Sequence, residues 1–338
     1  MPPSDIAIGE ACDLGVASGL LPDLHALYVD RGGAMLTERY YEGADENWGR
    51  DLGRRRFDAA ALHDLRSVTK SITSLLYGIA LERGLVPPPE APLLSAFPEY
   101  ADLAGDARRV GWTIANALNM TLGIRWNEDL PYTDPENSEI AMELAEDRYR
   151  FVLAQPIDHE PGTRWTYCGG AAALIGAIIE RGTGQSLEAF AREALFGPLG
   201  IGAFEWNSGG DGIASPASGL RLATPDLARI GRAVLNGGRA EGRQVIPESW
   251  IARCRTPVTA TPFGLAYSHF WYLSDQPGPS GPVPVLSANG NGGQRLYLMP
   301  TLDAVAVVFC GAYNRPDQWM TPTLLLQRII LPALVQSR

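Results

Sequence analysis

Lysine is almost missing from this 338-residue chain: of its 28 basic residues, 27 are arginine and one, Lys70, is lysine. Cysteine is scarce too. Cys12, Cys168, Cys254 and Cys310 lie far apart with no C-x-x-C pair, which excludes a disulfide framework or a zinc site and leaves buried free thiols as the expectation. No apolar run approaches the ~20 residues that a membrane span requires. The longest, Ala171 to Ile179 and Ala304 to Cys310, stop well short, and the opening MPPSDIAIGEACDLG has neither a basic n-region nor an apolar h-region. The expected location is cytoplasmic, with no membrane partner.

Other signatures are missing as well. A net charge of −10 leaves no electrostatic footprint for nucleic acid. There is no G-x-S-x-G elbow, no H-E-x-x-H among His25, His63, His159 and His269, and no complete G-x-G-x-x-G. A P-loop is excluded because Thr69, not glycine, precedes the only lysine. Metal, nucleotide and His-triad chemistry lose ground, and neither cofactor nor metal is expected. What remains is 46% hydrophobic and 20% charged, the composition of an ordinary folded chain.

The solitary lysine is therefore informative. Arginine cannot be deprotonated in a protein, whereas a lysine can be tuned to act as a base or a Schiff-base amine. Lys70 lies in Arg66-Ser-Val-Thr-Lys-Ser-Ile-Thr-Ser-Leu-Leu-Tyr-Gly-Ile79, where Val68, Ile72, Leu75, Leu76 and Ile79 form an apolar helical stripe and Gly84 is placed to end the helix. Ser67 and Lys70, three residues apart, are neighbours on one face of that helix's first turn. A hydroxyl beside an amine at a helix N-terminus can become a nucleophile, with its proton taken by the amine and the developing charge favoured by the helix end.

Two further segments attract attention. Tyr167, in Pro161-Gly-Thr-Arg-Trp-Thr-Tyr-Cys-Gly-Gly170, sits on a tight loop before an apolar helix that Gly182 should close. Ser287-Ala-Asn-Gly-Asn-Gly-Gly-Gln-Arg-Leu-Tyr297 carries an Asn-Gly turn signal and then a strand pattern. In that strand Asn291, Gly293 and Arg295 share a face by alternation, so the Arg295 guanidinium could supply a cation to a site there.

Together, Ser67-Val-Thr-Lys70, Tyr167-Cys-Gly169 and Asn291-Gly-Gly293 resemble the three motifs of the serine β-lactamase and penicillin-binding superfamily, Ser-x-x-Lys, Tyr-x-Asn and Lys-Thr-Gly or His-x-Gly, in the class C and esterase branch. Asn119 to Trp126, Pro198-Leu-Gly200 and Ser218 to Arg229 extend the resemblance, which runs from about residue 25 onward. Two departures stand out: Gly169 replaces the motif asparagine, and Asn291 replaces the cationic or histidine head that helps hold a substrate carboxylate. The Gly-Asn-Gly-Gly-Gln string and Tyr132-Thr-Asp-Pro look closer to family esterases and 6-aminohexanoate-oligomer hydrolases, which makes Tyr132 a candidate substrate contact.

The resemblance implies an α+β sandwich of the β-lactamase/transpeptidase type, an antiparallel sheet flanked by helices with an inserted all-α region. Residues 1–86 with 225–338 would form the sheet domain and 87–224 the helical insert, divided near the prolines of Val86 to Pro98. It also implies a serine hydrolase acting through an acyl-enzyme on Ser67, with Lys70 and Tyr167 as the base system and Lys70 lowering the phenol's pKa. The backbone N–H groups of Ser67 and Gln294 would form the oxyanion hole, with Asn291, Gly292, Gly293 and Arg295 along the substrate. Short esters or linear amides are the expected partners. A β-lactamase or DD-peptidase, a pyridoxal-phosphate enzyme and a penicillin-recognition domain that binds without turnover are the alternatives. The stretch Arg125 to Arg150, with eight acidic and three basic residues, would favour amino-bearing substrates if it borders the cleft.

Overall fold

The sequence Ala304-Val-Ala-Val-Val-Phe-Cys310 has no polar side chain, and all seven residues are buried, the signature of a strand covered on both faces. In the computed structural model, which describes residues 8–132, 134–278 and 281–336, this strand lies inside an eight-stranded sheet. Its strands are β1 (Leu24–Arg31), β2 (Ala34–Tyr40), β3 (Thr259–Ala260), β4 (Ala266–Ser268), β5 (Trp271–Gln276), β6 (Val283–Gly290), β7 (Gln294–Met299) and β8 (Ala304–Cys310), ordered β3-β4-β5-β6-β7-β8-β1-β2. All neighbours are antiparallel. Tyr28 of β1 stands opposite both Val307 of β8 and Glu38 of β2, so the two ends of the chain share one sheet, as the strand patterns predict.

Side-chain alternation assigns the two faces. Ala304, Ala306, Val308 and Cys310 pack with Ile8 and Cys12 of α1 (Ile8–Ala17) and with Leu325, Leu326, Ile330 and Leu334 of the C-terminal helical run. Val305, Val307 and Phe309 point the other way, into a cluster with α2 (Val68–Glu82), α3 (Gly169–Thr183) and α4 (Thr224–Leu235). The result is a β-lactamase-like sandwich, an antiparallel sheet between helical layers. Between residues 93 and 199 every regular element among the described residues is helical. A small three-stranded ladder, His63–Asp64 with Leu220–Leu222 and Glu205–Trp206, ties the start of α2 to the segment that carries Ala217 and Ser218. No helix among the described residues is long and apolar enough to cross a membrane, and all four cysteines are buried and unpaired.

Gly84, at φ +68°, follows the end of α2 as expected. Gly182 does not close α3. The helix runs through it to Thr183, and Gly184 at φ +68° is the cap. Gly182 is instead a close-approach residue, since a Cβ there would lie 2.3 Å from Leu85 O.

α2 is more buried than an amphipathic stripe suggests, with every residue from Val68 to Ala80 inside. Gly78 permits this: a Cβ there would meet Trp250 Cγ at 2.2 Å, and Trp250 is itself 2% exposed. Alanine is the better helix former by ~1 kcal/mol, but overpacking a rigid core costs about 1–3 kcal/mol. Gly78→Ala should therefore lower stability by roughly 1 kcal/mol or more, read as a reduced urea midpoint. An unchanged or raised midpoint would show that Trp250 yields freely.

Candidate active site

Ser67 occupies the N-cap position of α2. The turn bonds run from Val68 N–H to Leu65 O, Thr69 N–H to Arg66 O and Lys70 N–H to Ser67 O, leaving the Ser67 N–H outside them, as the first amides of a helix are. The preceding residue, Arg66, is held at φ +47°, an uncommon conformation for a side-chain-bearing residue. What imposes it is a buried clamp. The Arg66 guanidinium lies 3.1 Å from Asp64 Oδ2 and 2.9 Å from Glu46 Oε2 and 5.0 Å from the Tyr313 ring centroid. Asp64 Oδ1 accepts the Arg66 N–H at 3.2 Å, and Oδ2 accepts the Trp48 N–H at 2.6 Å.

One helical turn on, Lys70 Nζ donates to Ser67 Oγ and to Ala217 O, each at 3.0 Å, and the side chain is 2% exposed. Ser71 and Ser74 are used otherwise: Ser71 Oγ donates to Phe270 O at 2.7 Å and Ser74 contacts the Cys254 thiol. Tyr167 closes over the amine, with Nζ 4.8 Å from its ring centroid, and its hydroxyl is hydrogen-bonded to Ser67. It sits just before α3, whose N-cap Cys168 accepts Ala171 N–H on its thiol at 3.3 Å. Burial first, then Glu128, push this phenol well above the usual tyrosine range, against the lowering by Ser67. The expected lowering by Lys70 is thus overridden, because the phenolate would be desolvated beside a carboxylate.

Tyr132 joins this cluster, its hydroxyl 3.3 Å from Glu128 Oε2. Glu128 also accepts Trp126 Nε1–H at 2.6 Å and Gly169 N–H at 2.5 Å. Beside it is Glu139, on the short helix Ser138–Glu143, whose Oε1 accepts the Ser218 hydroxyl at 3.0 Å. Part of the acidic stretch thus borders the site. Burial and then Glu139 push Glu128 up to about 8.

The third segment departs from expectation. The strand residue against the Ser67 turn is Gly290, at the end of β6, where a Cβ would lie 2.3 Å from Leu65 O and 3.3 Å from Arg66 Cβ. Gln294 is its partner on β7, one strand further out. Its carboxamide is engaged with Cys310, Nε2 donating to Cys310 O at 2.7 Å and Oε1 accepting Cys310 N–H at 3.1 Å. Arg295 is a correction. Leu296 and Leu298 face α2, while Tyr297 and Met299 face the C-terminal helices. Alternation places Arg295 with the latter pair, 4.5 Å from the Trp319 ring centroid and 3.1 Å from Gly290 O. Its cation is on the wrong side of the sheet to meet a substrate at Ser67.

Asn291 likewise turns its Oδ1 to the Asn314 N–H at 2.9 Å. Gly292 and Gly293, at φ +87° and +96°, fit a tight hairpin against Tyr313 and Cys310. Ser67, Lys70, Tyr167 and Tyr132 are therefore brought together, whereas the side chains of Asn291, Gln294 and Arg295 are turned elsewhere.

Glu128, Glu139, Ser218 and Arg66 were not singled out by sequence reasoning. The acid-rich composition of 125–150 was the only signal for the first two. A buried His25, Asp45 and His63 group has ligand atoms within 4.8 Å of one another. Asp45 is already paired with Arg55 at 3.1 Å, and the two imidazoles are bonded to each other at 2.9 Å. That is a poor setting for a dication.

The chain is similar to several known proteins. A 6-aminohexanoate-dimer hydrolase of Paenarthrobacter ureafaciens is 26% identical over 331 residues, covering 88% of this chain and 77% of that protein. A monacolin J acid methylbutanoyltransferase of Aspergillus terreus is 34% identical over 149 residues, covering 40% of this chain and 36% of the relative. Among solved structures, a family VIII carboxylesterase superposes with a TM-score of 0.70 at 16% identity, covering 96% of this chain and 97% of that one. EstCE1, a hydrolase with promiscuous acyltransferase activity, gives 0.72 at 13% identity and 97% of both chains. The Beta-lactamase family model matches residues 25–320. The chain belongs to that family and is a serine hydrolase of the β-lactamase fold.

Proposed function

We propose that the chain hydrolyses short esters or linear amides through an acyl-enzyme on Ser67. The observation that carries this reading is the buried Lys70 amine, 3.0 Å from Ser67 Oγ, with Tyr167 on the same hydroxyl. Ser67 Oγ attacks the carbonyl carbon and forms the C–O bond, while its proton passes to Lys70 directly or by way of Tyr167. The oxyanion is received by the Ser67 N–H and by backbone at the end of β6, where Gly290 makes the close approach. The packing supports this donor over Gln294, one strand away. Collapse breaks the ester or amide bond, and the leaving alkoxide or amine takes up the proton. Water then cleaves the acyl ester and restores Ser67.

The substrate class follows from charge. With Arg295 behind the sheet and Asn291 bonded to Asn314, no cation among the described residues takes the third-motif place beside a lactam carboxylate. Glu128 and Glu139 add negative character on the opposite side, which suits neutral or amino-bearing substrates. The relatives named as a 6-aminohexanoate-dimer hydrolase and a carboxylesterase support the same choice. A neutral butyrate ester and an amino-terminated linear amide should be turned over far better than a chromogenic cephalosporin; a cephalosporin preferred over the butyrate would refute the esterase reading.

Two variants test the machinery. Ser67→Ala should abolish turnover and fluorophosphonate labelling, while Ser71→Ala keeps its label; a label persisting on another serine of Ser67→Ala would overturn the assignment. Lys70→Arg keeps the charge without a removable proton, so it should lose roughly 100-fold or more in kcat/KM. Retention of most activity would reduce Lys70 to an electrostatic role.

A further inference from the structure

Two residues that lack glycine's freedom hold left-handed backbone beside the cleft, Arg66 at φ +47° and Trp48 at φ +50°. One carboxylate serves both. Asp64 Oδ1 accepts the Arg66 N–H at 3.2 Å, while Oδ2 accepts the Trp48 N–H at 2.6 Å and lies 3.1 Å from Arg66 Nε. Asp64 is itself 0% exposed, so no substrate reaches it. Trp48 lies at the tip of the hairpin formed by Glu42–Asn47 and Arg50–Arg56, and its indole N–H donates to Ser218 Oγ at 3.0 Å. Ser218 follows Ala217, whose carbonyl accepts from Lys70 Nζ. The hairpin tip is thereby fastened beside both members of the catalytic pair.

The Arg66 conformation governs where the Ser67 amide points. The peptide bond between them is planar and trans, so its C=O and N–H are directed oppositely. Arg66 O is turned into the helix, where it accepts the Thr69 N–H at 3.0 Å. The Ser67 N–H therefore points out of the helix. Gly290 brings β6 against this same turn, where a Cβ on it would lie 3.3 Å from Arg66 Cβ. A side-chain-bearing residue keeps positive φ only with outside support, and the two carboxylates near Arg66 do not support it equally. Glu46, with its side chain 29% exposed, meets only the guanidinium, whereas Asp64 also holds the backbone N–H.

We propose that Asp64 is the positioning residue for the oxyanion amide, holding the peptide before Ser67 in the orientation that presents its N–H to the substrate carbonyl. The inference rests on the hydrolase reading above. It gives Asp64 an effect on the transition state, where the carbonyl oxygen gains charge, and little effect on ground-state binding. Asparagine cannot take its place: the neighbours of both oxygens are donors, and a carboxamide has one acceptor oxygen.

The test measures butyrate-ester kcat and KM, with kcat counted per Ser67 that the fluorophosphonate finally labels so that misfolded protein does not enter. Inhibition by phenylboronic acid, which captures the nucleophile as a tetrahedral adduct, gives a second readout. Asp64→Asn should lower kcat roughly 100-fold, the order for losing one oxyanion donor, with KM within about threefold and the boronate weakened in proportion. Glu46→Gln should lose less than Asp64→Asn by about tenfold or more. The sharpest comparison is at residue 66. Arg66→Gly and Arg66→Ala both delete the guanidinium, but only glycine takes positive φ freely, so in the Asp64→Asn background glycine should exceed alanine in kcat by about tenfold. An Asp64→Asn enzyme within about fivefold of the unaltered kcat, a loss carried by KM instead, or glycine no better than alanine overturns the proposal. Where Asp64→Asn fails to fold, the single variants Arg66→Gly and Arg66→Ala settle it, with glycine ahead by about fivefold. An unaltered chain that neither cleaves the ester nor takes the label removes the hydrolase reading and this inference with it. One that does both while Asp64→Asn is unimpaired removes this inference alone.

Discussion

Lys70 Nζ lies 2% exposed in the middle of the molecule, bonded to Ser67 Oγ and Ala217 O. An amine removed from water loses several kcal/mol of solvation unless polar partners surround it, so each element around it is constrained to deliver one. α2 supplies Ser67. The ladder of His63–Asp64 with Leu220–Leu222 brings the Ala217 carbonyl within reach, and the loop before α3 lays the Tyr167 ring over Nζ. The Arg66 backbone, held at positive φ by Asp64 and Glu46, turns the Ser67 amide outward from the helix. Strain of order 1–3 kcal/mol at such a residue persists only where the surroundings over-determine it.

Small residues do as much as the charged ones. Gly290 lets β6 approach the Ser67 turn, Gly169 leaves room for two carboxyl groups, and Gly78 lets Trp250 seat against the nucleophile helix. In each case a Cβ would meet an atom at 3.0 Å or less. A methyl group at any of the three would therefore displace something that bears on Ser67 or Lys70. The site is built as much from where side chains are omitted as from where they are placed.

What was readable in the sequence was local or pairwise. Helical spacing put Ser67 beside Lys70, and strand patterns at the two ends of the chain gave one sheet. The lone lysine among 27 arginines drew attention to Lys70, which the structure places 3.0 Å from Ser67 Oγ. What was not readable depended on which side of a strand faces the nucleophile. Alternation cannot group Asn291 and Gly293 with Arg295, because residues 291–293 form the hairpin turn and the strand begins at Gln294; within the strand, the neighbouring elements decide whether a face meets α2 or the C-terminal helices. The helix end moved from Gly182 to Gly184 for a similar reason, since a close approach by Leu85 and a cap both demand glycine. Glu128 and Glu139 were invisible as individuals because their partner, Gly169, lies 41 residues beyond Glu128 in sequence.

The two departures from the family motifs are parts of one change in charge. A lactam-reading site sets a cation in its third motif beside the motif lysine and a neutral asparagine. Here the third-motif cation is gone and the asparagine position is filled by a carboxyl pair, so the cleft moves toward negative charge on both counts. An anionic substrate would have to shed its hydration with no compensating cation and with a carboxylate nearby, a cost of several kcal/mol. A neutral ester bears no such cost, and an amino-bearing amide gains from it. Both changes remove what an anionic substrate needs, which is why the departures at Gly169 and Asn291 are best understood together.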